Sequence, residues 1–136
     1  MIVSSDFEFL VAHWLNSDKE YIKLFEGKDE IVLSRQETRV ILRVQLTPDQ
    51  PTQTDLQSWL RIGAASLNHF QGVLSQAPTN GALWLIQNDK VALGESHLLR
   101  SVESLLNQRD TWRDTAVRLK RSAPPFTPTS LRSLLY

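Results

Sequence analysis

Gly94–Leu119 reads GESHLLRSVESLLNQRDTWRDTAVRL. Within it Leu98, Val102, Leu105, Arg109, Trp112, Ala116 and Leu119 recur in alternating steps of four and three. That period lies near 3.6 and lines these side chains up as one stripe along a helix. Arg100, Glu103, Gln108, Asp110, Arg113 and Arg118 mostly fill the other faces. A helix of about 26 residues is roughly 39 Å long, the width of a small domain. Its apolar stripe needs a partner surface of matching length, and the residues before it offer a β-sheet.

The strands that could form the sheet lie upstream. Arg39–Leu46 alternates most clearly, with Val40, Leu42, Val44 and Leu46 on one face and Arg39, Ile41, Arg43 and Gln45 on the other. One face is therefore expected to be buried and one wet. Tyr21–Phe25 and Glu30–Arg35 precede it as two further strands, joined by a Glu26-Gly27-Lys28-Asp29 turn in which Gly27 is free to take positive φ. Gln36-Glu37-Thr38 links the second strand to the third. Gly72–Gln76 and Ala82–Gln87 read as a hairpin around Ala77-Pro78-Thr79-Asn80-Gly81. Leu83-Trp84-Leu85-Ile86 is apolar on both faces, as in a strand covered twice, and Asn88-Asp89-Lys90 reads as a link into the long helix.

Two more helices are expected. Residues 5–15 begin with Ser5 and Glu8 at capping-box spacing and carry Phe7, Leu10, Val11 and Trp14 at helical intervals. These aromatics either join the core or wall a groove for a partner. The second helix starts at 52–54, after Thr47-Pro48-Asp49-Gln50-Pro51, and ends near Asn68. Leu56, Leu60, Ala64 and Leu67 form one stripe, and Trp59, Ile62, Ser66 and Phe70 a second. A helix apolar over more than half its circumference needs cover on more than one side. That cover is either a second copy, approaching closely at small residues 63–65, or full burial within the protomer.

The 136 residues suit one domain, and 41% hydrophobic content supports a core without disulfides. We divide the chain into a single domain at 1–121 and a Pro-rich tail at 122–136. Pro124, Pro125 and Pro128 stop the helix. Leu131, Leu134, Leu135 and Tyr136 then leave three options: a disordered end, a short helix docking back, or a segment offered to a partner. Formal net charge is zero, which argues against a dedicated nucleic-acid binder. Residues 1–60 hold ten acids and six bases, and residues 61–136 five acids and nine bases.

No cysteine is present, so thiol chemistry and disulfides are excluded. No apolar run reaches the roughly 18 residues of a membrane span, and the N-terminus lacks a signal-peptide pattern. The expectation is a cytoplasmic protein without membrane insertion. His13, His69 and His97 lie in separate segments without ligand spacing, so no metal is expected. No GxSxG, GxGxxG or Walker loop occurs. We expect no catalytic residue, no cofactor and no enzyme. Arg109 breaks the long stripe, either as a buried charge paired with Asp110 or Glu103 or by snorkelling off the edge. Arg113, Arg118, Lys120 and Arg121 make a basic helix end, suited to the helix dipole.

The expected fold is α+β in the order α-β-β-β-α-β-β-α, an antiparallel sheet packed by a long C-terminal helix. That order over residues 5–120 resembles the class I (CesT-like) type III secretion chaperones. So does Trp84-Leu85 ahead of a helix carrying Leu105-Leu106-Asn107-Gln108 and Trp112-Arg113, which is similar to chaperone-like proteins of the Hrp secretion cluster. The resemblance implies an ATP-independent homodimer or heterodimer that holds an extended segment of a secreted effector or secretion-system protein. By element, it implies a client groove at Phe7, Leu10, Trp14, Tyr21, Phe25 and Ile41. It implies a dimer face at Trp59, Ile62, Ser66, Phe70 and Trp84. The family is commonly acidic, whereas this chain is neutral and has an apolar tail. That departure leaves room for a chaperone-like regulator binding another small secretion regulatory protein. A roadblock- or longin-like scaffold dimer is a further alternative, and it predicts a different strand split between the helices.

Overall fold

Alternation in Arg39–Gln45 becomes the middle of a five-stranded sheet. A computed structural model describes residues 5–66 and 69–122, without the side chains of Ser5 and Ser122. The elements are α1 (Ser5–Leu15), β1 (Tyr21–Glu26), β2 (Asp29–Gln36), β3 (Arg39–Gln45), α2 (Gln53–Ala65), β4 (Val73–Gln76), β5 (Leu83–Lys90) and α3 (Glu95–Ser122), with a single 3₁₀ turn at Val91–Leu93. The expected order stands, and three strands before α2 with two after it is not the split of a roadblock or longin scaffold. The Ser5 cap, Leu67, Asn68 and the tail after Ser122 lie outside the described residues.

The sheet runs β1-β2-β3-β5-β4, antiparallel throughout. Its register places Leu24, Ile31, Val44, Leu85 and Leu74 in one row across all five strands. That row faces the helices, and Leu98, Val102, Leu105, Leu106 and Trp112 of α3 complete the same core. Each Å² of apolar surface removed from water along this seam contributes about 25 cal/mol toward folding. The α3 stripe is buried from Leu98 to Trp112, half-buried at Ala116 and exposed at Leu119. The helix outruns the sheet it covers.

Two boundaries differ most from the sequence reading. β5 continues through Asn88-Asp89-Lys90, because these residues pair with Ile41, Val40 and Arg39. Their polarity disguises a strand whose inward groups find polar partners: Gln87 Nε2 donates to Asp89 Oδ1 at 3.3 Å and to Gln71 Oε1 at 3.3 Å. α2 ends earlier than Asn68, at Ala65, where the Ser66 amide closes back on Ile62 O and Gly63 O. Glu37 takes positive φ, 57°, in the β2–β3 turn, and Gly27 takes 63° in the β1–β2 turn. A left-handed residue is what each two-residue hairpin turn requires.

All three helices lie on one face of the sheet. Among the described residues nothing covers the other face, so the second covering expected for Leu83–Ile86 is absent within the protomer. Trp84 and Ile86 are half-buried there, and Val73 is 65% exposed.

Candidate partner-binding surfaces

α1 is apolar around most of its circumference, and packing decides which part is hidden. Val11 and Trp14 enter the core, with Phe7 and Leu15 against it. The client-groove expectation therefore shifts for Trp14, which is 2% exposed. Arg35 covers it, its guanidinium 4.6 Å from the ring centroid, and Arg35 Nη2 donates to Trp14 O. Outward, α1 presents Leu10 and, missed by the sequence reading, Phe9 at 70% exposure. The ring of Phe9 stacks on His13 at 6.2 Å.

Tyr21 and Phe25 lie on the uncovered sheet face, both exposed. Ile41 is half-buried on that face, and the register puts Ser34 between Tyr21 and Ile41. The six expected groove residues thus divide. Phe7 and Leu10 belong to the helix layer, Trp14 to the core, and Tyr21, Phe25 and Ile41 to the open sheet face. β1 runs between the two layers as an edge strand.

The expected dimer residues divide as well. Trp59 and Ile62 belong to the protomer's own core, because α2 lays that stripe against α3. Ser66, Phe70 and Trp84 are half-buried. The α2 stripe facing outward is the other one, with Leu60 56% exposed and Ala64 exposed beside it. Gly63 is small for an internal reason, since a Cβ there would lie 3.3 Å from Trp112 Cη2. A depression of about 480 Å³ connects Leu60, Ala64, Phe70, Val73 and Leu74, so α2 and the β4 edge form one continuous apolar surface. Another, of about 390 Å³, sits on the open sheet face between Val32, Arg43, Trp84 and Ile86.

The charged centre of the molecule serves structure. Arg109, its side chain 3% exposed, bonds Glu26 and Asp110 and reaches Asp29 Oδ2 at 3.4 Å. Arg113 forks onto Asp29, Nη1 to Oδ2 at 2.7 Å and Nη2 to Oδ1 at 3.0 Å, and donates to Leu46 O and Gln45 O. The Arg113 hydrogen bonds hold the Asp29 carboxyl below the usual carboxylate range, against burial, with the Arg113 and Arg109 charges adding to them. Burial opposes the charged form of Arg109, yet its bonds to Glu26 and Asp110 prevail and raise its pKa. Asp110 was expected as a partner. Glu26 and Asp29, some eighty residues distant, carry no local signal.

Among the described residues no group of three His, Asp or Glu side chains is placed to hold a metal, and no helix is long and apolar enough to cross a membrane. His97 Nε2 lies 3.6 Å from Asp89 Oδ2.

A chain of the solved HopA1-SchA chaperone–effector complex superposes at TM-score 0.59 with 16% identity, covering 84% of this chain and 99% of that one. A chain of the ExsC-ExsE complex superposes at 0.56 with 15% identity, covering 93% and 100%. The α+β order with its five-stranded antiparallel sheet and long last helix is thus a fold shared with these two chains. At these identities the likeness is one of fold. No protein-family model matches the chain, and no curated protein matches it.

Proposed function

We propose that this chain is an ATP-independent, non-enzymatic secretion chaperone acting in the cytoplasm as a dimer. It holds an extended segment of a secreted effector or secretion-system protein. The observation that carries the reading is the setting of β1. An incoming strand paired to its free edge sends alternate side chains to opposite faces of the sheet. One set meets Tyr21 and Phe25, with Ile41 beyond; the other meets Phe7 and Leu10 of α1. Main-chain pairing supplies affinity and the two apolar strips supply selectivity, without a nucleotide or metal. Leu60, Ala64 and Val73 join Phe70 in the expected dimer face and replace Trp59 and Ile62 in it. The neutral net charge favours a second reading, in which the same surfaces serve a chaperone-like regulator and the client is a small secretion regulatory protein.

Co-expression with the protein encoded beside it tests the proposal. The expected product is a dimer that co-purifies with that protein in the absence of ATP. Tyr21→Asp combined with Phe25→Asp should weaken the complex by about tenfold or more while leaving the circular dichroism spectrum unchanged, given the area two aromatic anchors bury. A stable monomer that captures no neighbour-encoded protein sinks the proposal.

A further inference from the structure

Where α3 outruns the sheet, a cleft opens between its last turns, the start of α2 and the loop after β3. Its cavity is about 410 Å³, and its apolar walls are Pro48, Pro51, Trp59, Ala116 and Val117. The loop wall is fixed: Thr47 Oγ1 donates to Asp49 O at 2.8 Å and accepts from Leu83 N at 2.8 Å. Thr52 Oγ1 then caps α2 by accepting from Asp55 N at 3.1 Å. The cleft is therefore preformed. Val117 stays exposed at its side.

We infer that the chain's own segment 123–136 fills this cleft, with Phe126 as the anchor. Reach permits it. Going back from Ser122 to the level of Val117 covers about 8 Å of helix axis, and the four residues 123–126 span up to about 13 Å extended. Composition favours it. Pro124, Pro125 and Pro128 flank Phe126, and prolines restrict the free segment, so less freedom is lost on docking. Tethering favours it over an outside occupant. A segment four residues from its site is present at an effective concentration in the millimolar range, so a single aromatic contact suffices. Charge fits as well. Lys120 is paired with Asp55 at 3.3 Å and Arg113 with Asp29. Asp49 lines the cleft, and Arg132, the one charged side chain of 123–136, is opposite to it in sign.

The chain has no cysteine, so disulfide trapping is clean. In the full chain, Pro48→Cys with Thr127→Cys should close to an intramolecular disulfide under mild oxidation. Asn88→Cys with Thr127→Cys, with Asn88 in β5 ahead of α3 and Thr127 following its far end in sequence, should not. Adding Phe126→Ala to the first pair should slow closure by about tenfold, as expected for losing one buried aromatic ring. Removing residues 123–136 should speed amide exchange across 47–59. The inference is overturned by equal trapping of the two pairs or by no effect of Phe126→Ala. It also falls if exchange is unchanged on truncation, or if the product links two chains, which identifies a second copy's segment as the occupant. None of these readouts involves a client, so the result is independent of the proposed function.

Discussion

The two ends of the sheet are fastened to α3 by opposite chemistry. At the β1–β2 turn, five charged groups meet: Glu26, Asp29, Arg109, Asp110 and Arg113. At the start of β4 a single neutral amide serves, with Gln108 Oε1 accepting from Gly72 N and Gln108 Nε2 donating to Gly72 O, both at 2.9 Å. The ionic end tolerates some movement, because several groups share the load. The amide end works through fit. A Cβ on Gly72 would come within 2.4 Å of Gln108 Oε1 and 2.5 Å of Leu105 Cδ1. The difference implies that the first fastening responds to pH and the second to volume.

The largest effect should come from Arg109→Ala. It removes a buried side chain that bonds the part-exposed Glu26 and Asp110, and the cavity left behind together with the lost hydrogen bonds costs about 3 kcal/mol. Urea unfolding at one fixed protein concentration would measure it. Should the loss be within about 0.5 kcal/mol, the ionic end is a surface pair and the contrast fails. Next comes Gly72→Ala, about 2 kcal/mol from overpacking. Gln108→Leu should cost slightly less, since it removes two hydrogen bonds but opens no clash. If Gly72→Ala proves neutral, fit is not what governs that end.

The smallest effect sharpens the contrast through pH. Asp29 has a folded pKa below its ordinary 3.8. It therefore stabilises the fold above that value, and the contribution fades as pH falls through the folded pKa. Asp29→Asn should lower stability at pH 7 and flatten the acid limb below about pH 4. Gln108→Leu should leave the shape of that limb intact.

Periodicity made the scaffold legible. The α3 stripe from Leu98 to Trp112 and the alternation of β3 each need cover on one side only, so pattern and burial coincide. α1 and α2 are apolar over more than half their circumference, and there pattern is silent about which side is hidden. Trp14, Trp59 and Ile62 went inward while Phe9 and Leu60 stayed out, a choice made by the neighbours' shapes. Arg109 stood out as an interruption in a stripe, but its partners Glu26 and Asp29 meet it only through the tertiary fold. β5 was cut short after Gln87 because Asn88-Asp89-Lys90 look like a loop until their pairing with β3 is known.

The Gln108 clamp also bears on self-association. A sheet has two edges, and each is a template on which any extended chain can grow. By engaging both backbone groups of Gly72, Gln108 occupies the main chain just where β4 would lengthen, and that edge is held to four residues, against six in β1. A clamp made to hold a helix thus leaves the molecule with one good template instead of two. It favours one-to-one capture of a strand and disfavours open-ended stacking into fibres.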